Sequence, residues 1–389
     1  MPLLRNWRKK PVTKNSEKRV PALRFKGFTN DWEQRKLGTA IKIIKDKNKN
    51  QHSYRAFSIS NIKGFIAQDE QFGKDNTYSK TDKSTNYIVK PGMFAYNPAR
   101  INVGSIAYQN QIEPVLVSSL YEIFQTNSKI DDSFLMNWFK TSLFNRQIKR
   151  LEEGGVRQYF FIDKMKETEI KLPSISEQNQ ISKLLQLVNK NLDLQQRKLE
   201  SFQFTYHEII RRLFLKKAKW QQTKLSDLVT ILDKNRKPVK KEDRLFGDTP
   251  YYGANGIQDY ISGFTHKGEF ILIAEDGANS LTEYPIYFVK GQIWVNNHAH
   301  VLKVNKDVSP LFLALALKQI NYSKYTVGSS RNKLNLKDLE NIAIFIPDNN
   351  EQQKIGQFYS NYLNYLRINK KRIQYMKQFK QFLLQNMFI

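Results

Sequence analysis

From residue 181 the apolar positions Ile181, Leu185, Val188, Leu192, Leu199, Phe202, Tyr206, Ile209 and Leu213 alternate by four and three, with Gln195 filling one slot. This heptad spacing predicts a long helix with one apolar seam. The spacing returns at Ile355, Tyr359, Tyr362, Leu366, Ile373, Met376, Leu383 and Met387, with Asn369 and Lys380 in the remaining slots. Such a helix spans roughly 55 Å at 1.5 Å per residue, and two matching seams in one chain are expected to pair. If they lie antiparallel about a pseudo-twofold axis and overlap fully, the polar breaks Gln195 and Asn369 meet as a register-setting pair.

Both helices open on the same phrase, Leu172-Pro173-Ser174-Ile175-Ser176-Glu177-Gln178 and Ile346-Pro347-Asp348-Asn349-Asn350-Glu351-Gln352. The proline bars helix before it, and Ser174 or Asp348 can cap with Glu177 or Glu351 three residues on. From 157 to 214 and from 331 to 388 the offset is constant, since 331 − 157 = 388 − 214 = 174. Ahead of each helix the pattern changes. Short apolar runs at 54–66, 86–89, 93–96 and 115–124, cut by Gly and Pro, read as mixed strands with small helices, and 131–151 has helical spacing with Phe134, Trp138 and Phe139 on its apolar side. The later segment repeats this with strands at 269–274, 286–289, 292–296 and 301–304, then a helix at 309–319 that starts Ser-Pro.

These units open on Trp32-Glu33-Gln34-Arg35-Lys36-Leu37 and Trp220-Gln221-Gln222-Thr223-Lys224-Leu225. The openings are 220 − 32 = 188 apart, so the first unit is longer by 188 − 174 = 14 residues. The expected fold class is α+β: two α/β units in pseudo-twofold arrangement, separated by two long antiparallel coiled-coil helices. The expected divisions are a basic arm at 1–20, a first unit at 21–157, a first spacer at 158–219, a second unit at 220–331 and a second spacer at 332–389.

Charge narrows the function. The 63 Lys and Arg against 36 Asp and Glu leave a formal net charge of +27 on 389 residues. That excess implies a polyanionic partner, and interleaved aromatics and Asn favour nucleic acid over a membrane surface. Cysteine is absent, which removes disulfides, Cys-ligated zinc and thiol catalysis. No apolar run has the length of a membrane span, so a cytoplasmic protein is expected.

Catalytic loops are also missing. Asn97-Pro98-Ala99-Arg100 lacks the second proline and the aromatic of a methyltransferase loop, and Tyr252-Gly253-Ala254-Asn255-Gly256 is too short for a cofactor loop. There is no P-loop. His298 and His300 have no matching carboxylate cluster nearby in sequence and read as polar strand-end residues rather than a metal site; Glu275-Asp276-Gly277 reads as a turn.

Two variable units opening on Trp-x-x-x-x-Leu, each followed by Pro-x-x-x-Glu-Gln-x-x-Ile and a long helix, resemble the specificity subunits of type I restriction-modification systems. The resemblance runs from about residue 20 to the end and includes the Gly/Ser-rich turns Glu153-Gly154-Gly155-Val156-Arg157 and Gly328-Ser329-Ser330-Arg331. It implies that each variable unit is a target recognition domain reading half of a split double-stranded DNA site. The helices would then space the domains and dock two methyltransferase subunits, with restriction subunits added for cleavage. S-adenosylmethionine, and ATP with Mg, would belong to those partners, and this chain would hold no cofactor, no metal and no catalytic residue. Two rigidly separated readers can sit in neighbouring major grooves, roughly 34 Å apart, and units that differ imply an asymmetric bipartite target.

Arg and Lys read guanine and Asn and Gln read adenine, so polar loop clusters are the candidate DNA contacts. In the first unit these are Asn97, Arg100 and Asn102, followed by Arg157. In the second they are Tyr251, Asn255, Asn296, Asn297 and His298, joined by Ser330, Arg331 and Asn332. Two other readings stay open: an orphan or alternate specificity subunit that supports methylation only, and a basic coiled-coil assembly protein with incidental charge.

Overall fold

The computed structural model describes residues 20–72, 83–151, 159–215, 220–328 and 332–389. The basic arm up to residue 19 and the expected boundaries at 157, 219 and 331 fall outside them. Two compact units form, one from the chain up to Leu194 together with Ile373–Ile389, the other from Gln195–Arg372.

Each variable segment is closed by its own repeated ends. Strand Glu33–Lys36, just after Trp32, pairs antiparallel with Glu169–Leu172, just before Pro173. Strand Gln221–Lys224 pairs in the same way with Ala343–Ile346. The opening tryptophans lie at the base of these ribbons. Trp32 meets Phe134 edge-on at 5.9 Å between ring centroids, and Phe134 meets Phe388 at 5.0 Å. In the second unit Trp220 meets Phe312 at 5.8 Å and Phe214 at 5.3 Å, and Phe312 stacks on Phe214 at 6.1 Å. The two triads match position for position, because 388 − 214 = 174 carries the long-helix aromatic and 220 − 32 = 188 the opening Trp. Leu37 and Leu225, which close the opening phrases, are fully buried.

The long helices run Ile175–Leu215 and Asn349–Asn386, with 41 and 38 residues. The expected caps form: Glu177 N donates to Ser174 Oγ at 3.3 Å and Glu351 N to Asp348 Oδ1 at 2.9 Å. The acidic arm of the box does not reach back. Glu177 is buried and takes a bidentate bond from Arg24 at 2.7 and 2.8 Å, whereas Glu351 is exposed. In the first unit the start of one helix (Ile181, Leu185, Val188) shares a core with the end of the other (Leu383, Leu384, Met387, Phe388). In the second unit Tyr206, Ile210 and Phe214 share a core with Ile355, Tyr359 and Tyr362. The helices are therefore antiparallel within each unit, as their seams require.

One stretch of the seam departs from expectation. Ile209 is 44% exposed and Leu213 only half-buried, while Ile210 and Phe214 are buried. After Tyr206 the stripe steps by four because here the helix also packs on the unit's own core, including Leu225 and Phe312, and a helix free of supercoil follows its 3.6-residue period. Gln195 and Asn369 are both half-buried. Asn369 Nδ2 donates to Tyr365 O of its own helix at 2.8 Å.

In the first unit a four-stranded antiparallel sheet has the order Ile41–Ile44, Glu122–Thr126, Phe94–Tyr96, Ile106–Tyr108. The run at 54–66 forms a hairpin of Phe57–Ser60 and Gly64–Ala67, turned where Gly64 takes φ +69°. The run at 115–124 divides into Val115–Val117 and Glu122–Thr126. The helix expected over 131–151 breaks into Asp132–Trp138 and Ser142–Leu151, with Thr141 Oγ1 donating back to Trp138 O at 2.6 Å.

The second unit holds a six-stranded sheet in the order Val229–Ile231, Ala299–Val304, His266–Ala274, Ile286–Val295, Phe246–Gly253, Gly256–Ile261. All pairs are antiparallel except Phe246–Gly253 with Ile286–Val295. The runs at 286–289 and 292–296 join into one strand through Gly291 at φ +103°. Ser309 caps helix Pro310–Leu317 as its Ser-Pro start predicts.

Candidate nucleic-acid interface

A buried amide joins each variable unit to its long helix. Gln178, wholly buried, accepts the backbone N–H of Asp131 at 2.8 Å and donates to Pro173 O and Lys129 O at 3.0 and 3.1 Å. Asp131 caps helix Asp132–Trp138. Gln352 repeats the arrangement, accepting Ser309 N at 3.0 Å and donating to Pro347 O at 3.1 Å, and Ser309 is likewise a helix cap. One turn further on, Ser182 donates to Asp131 Oδ1 at 2.5 Å; its counterpart Gly356 lets the helix pass so close that an added Cβ would lie 2.9 Å from Ser309 Oγ. Nothing in the local pattern of either phrase marked these glutamines as more than polar residues in a first helical turn.

The first unit's candidates sit on a tight turn after strand Phe94–Tyr96. Asn97 Oδ1 accepts Ala99 N at 3.0 Å, fixing the turn, and Gly104 at φ +87° ends the short 3₁₀ turn Ile101–Val103. Arg100 and Asn102 are exposed on this turn. Asn102 shares a cavity rim with Asn61, Lys63 and Gln111, and Ile62 and Ile112 project from the adjoining turns at 87% and 94% exposure. Those neighbours lie in short turns that sequence reading passed over. Arg157 lies outside the described residues.

In the second unit the candidates gather about the turn at 275–279. Asn255 is exposed, yet its amide is engaged, donating to Gly277 O at 2.9 Å and accepting Asn279 N at 3.0 Å. His298 Nδ1 lies 2.6 Å from Asp276 Oδ1, and Asn332 O accepts Gly277 N at 3.2 Å. Asn296 is buried and turns the strand end by accepting His298 N at 2.8 Å. Asn297 is exposed beside it. Tyr251 corrects the expectation of a contact residue: it is 1% exposed, its hydroxyl pairs with Val239 N at 3.1 Å, and the Arg244 guanidinium covers its ring at 4.2 Å. The phrase read as a polar loop is a hairpin, and strand alternation turns Tyr251 inward. Ser330 and Arg331 lie outside the described residues. A lysine-bearing segment that sequence reading did not single out, with Lys234, Lys237, Lys240 and Lys241 exposed, precedes this hairpin; its run of like charge was the available signal.

Below the turn, His300 does have carboxylates about it. Asp233, Glu275 and His300 place one ligand atom each within 4.8 Å of the others, a cluster hidden from sequence because Asp233 is 67 residues from His300. Arg236 lies among them, 3.3 Å from Asp233 and 2.6 Å from Glu275. The guanidinium occupies the role a cation would play. Burial opposes ionisation of Asp233, but bonds from His300 and Val301 N together with the Arg236 charge hold its carboxyl below the usual range. The cluster is an ion-pair network that fastens the segment at 233–236 to strand Ala299–Val304.

Comparison with known proteins also finds a twofold repeat. The family described as the type I restriction modification DNA specificity domain matches residues 29–202 and again 217–378. The chain belongs to this specificity family. A putative type I restriction enzyme specificity subunit from Haemophilus influenzae is 44% identical over 131 residues, 34% of this chain and 34% of that protein. The EcoprrI specificity subunit of Escherichia coli is 29% identical over 98 residues, 25% of this chain and 24% of its own length. The chain thus spans about a third or less of these relatives in alignment. The crystal structure of a type I S subunit from M. genitalium superposes with a TM-score of 0.66 at 17% identity, covering 95% of this chain and 99% of that one, so the specificity-subunit fold extends over nearly all of the sequence. No described helix is long and apolar enough to cross a membrane.

Proposed function

We propose that the chain is the DNA-reading subunit of a type I restriction-modification complex, with no catalysis of its own. Its two variable units read the halves of an asymmetric bipartite double-stranded site. The paired helices hold those halves at a set distance and dock two methyltransferase subunits, which bring S-adenosylmethionine, and restriction subunits, which use ATP with Mg. The work is done in the cytoplasm, where the DNA is.

The observation that carries this reading is the duplicated grip. In each half the ribbon, the Trp-Phe-Phe triad and the buried glutamine hold the same places, while the inserted segments differ in length and in sheet. A protein built to present two different surfaces from one repeated frame needs that division. The net charge of +27 supplies the sequence-independent attraction to DNA. The test is to express the chain with its methyltransferase subunits and map modified bases across the genome. A single split motif with a fixed gap is expected; a formed complex that modifies no split motif would overturn the reading. Cleavage on adding restriction subunits separates a full restriction system from a methylation-only one.

A further inference from the structure

In the first unit a cavity of about 880 Å³ opens between the turns at 61–64 and 102–104 and the end of helix Asp132–Trp138. Lys140 and Lys380 line its wall and Lys63 its rim. Among the described residues, neither Lys140 nor Lys380 forms an ion pair. Asp132, the one acidic residue of the lining, is bonded to the Thr126 hydroxyl, and Asp193 acts on Lys380 only through its charge. Burial lowers the pKa of both ammonium groups, and the Lys380 charge lowers that of Lys140 further. Two cations thus face one cavity.

The second unit does not repeat this. The helix caps Asp131 and Ser309 are 309 − 131 = 178 apart, which makes Lys318 the counterpart of Lys140; burial lowers its pKa too, and Glu283 acts on it through charge as Asp193 does on Lys380, so the difference lies in the second lysine. The counterpart of Lys380 is Tyr206, since 380 − 206 = 174, and Tyr206 stacks flat on Tyr362 at 3.4 Å. A charge in a seam slot weakens helix packing, so Lys380 stands where an apolar residue would serve stability better.

We propose that Lys140 and Lys380 together hold one backbone phosphodiester of DNA at the first half-site. A phosphodiester offers two non-bridging oxygens and one negative charge, which suits two ammonium groups that line one cavity and form no ion pair among the described residues. The amides of Asn61, Asn102 and Gln111 at the rim suit the flanking sugar and base edges. The site rests on the DNA-reading function proposed above and adds to it a register contact made by the scaffold helix itself.

The test uses the full chain assembled with its methyltransferase subunits and a duplex carrying the mapped target, with affinity measured over a salt series. The unaltered complex is measured first, and if it selects no split site the DNA-reading function fails, whatever the lysines do. Given selective binding, Lys140→Gln and Lys380→Met are each expected to weaken binding uniformly across sequences and to lower the slope of log K against log salt by about one. The double variant should lower it no further, because one phosphate is shared. Lys380→Arg should keep the slope. Lys380→Met should also melt at or above the temperature of the parent, which a merely structural lysine would not do. A single methylphosphonate at the contacted phosphate should reproduce the loss in the parent and add nothing in the double variant. An unchanged slope in both single variants overturns the proposal; so does loss of subunit assembly with the slope intact, which would assign the lysines to an acidic protein partner.

Discussion

Replacing Gln178 by alanine tests whether the repeated phrase is a joint or only a helix start. The side chain makes three hydrogen bonds inside the first unit, to Asp131 N, Pro173 O and Lys129 O. Each is worth about 0.5–1.5 kcal/mol net, and a buried partner left unsatisfied costs about 1–3 kcal/mol. Water can reach some of the vacated space, so the three do not sum fully, and a loss of about 3–4 kcal/mol from the first unit is expected. Gln352 makes two such bonds, and Gln352→Ala should cost about 2–3 kcal/mol from the second unit. Urea unfolding of the full chain, followed by hydrogen exchange resolved by peptide, reads both size and place. The amides of Asp131 and helix Asp132–Trp138 should lose protection in the first variant, and those of Ser309 and helix Pro310–Leu317 in the second. A capping residue alone would fray only the first turn of the long helix. If Gln178→Ala leaves the Asp131 amide as protected as before, the joint does not exist.

Gly356→Ala places a Cβ 2.9 Å from Ser309 Oγ and 3.2 Å from Leu311 Cβ, so the second unit should lose about 1–3 kcal/mol by overpacking, measured as a lower urea midpoint; an unchanged midpoint would show that the helix shifts freely. His266 is buried, with Nδ1 2.8 Å from Thr265 Oγ1 and Nε2 3.3 Å from Leu232 O, and burial pushes its pKa below the ordinary 6.5. The unfolded chain therefore takes the proton first, so this contribution is whole above pH 6.5 and declines as pH falls from there toward the lower folded value. His266→Gln should flatten the pH dependence of the second unit's midpoint between pH 7.5 and 5, and an identical slope would refute the assignment. Arg100→Ala removes an exposed guanidinium from the turn after Phe94–Tyr96; if that group reads guanine, about 1–3 kcal/mol should be lost at one position of the first half-site only. Equal loss over all sequences in a binding competition would make it a phosphate contact.

What the sequence disclosed was periodic or local. The seams, the Ser174 and Asp348 caps and the Ser-Pro helix start each depend on residues within a few turns of one another, so their pattern is written in adjacent letters. The turn that carries Arg100 and Asn102 was legible for the same reason, because a Pro-bearing segment after a strand has few ways to continue. The missed features join distant letters. Gln178 meets a cap 47 residues away, His300 meets Asp233 67 residues away, and Trp32 packs on Phe134. Tyr251 failed differently: glycine-flanked tyrosines suggest a loop, but only strand pairing decides which of Tyr251 and Tyr252 faces inward.

The repeated contacts also explain how one frame tolerates two unlike readers. The ribbon pairs 33–36 with 169–172 and 221–224 with 343–346; the aromatic triads and the buried glutamines act on the caps and first turns of Asp132–Trp138 and Pro310–Leu317. None of these contacts draws on the turns at 97–104 or 254–256. The exposed side chains of those turns, Arg100, Asn102 and Asn255, can therefore change without touching the ribbon, the triad or the joint, whereas Ile101 and Ala254 are buried in the same cores as the triads. Lys380 is the exception that gives this division its meaning: it belongs to the scaffold helix yet faces the same cavity as Asn102. If that helix sets the half-site distance as proposed, the same rigid element also lines the cavity at which the first unit is expected to read.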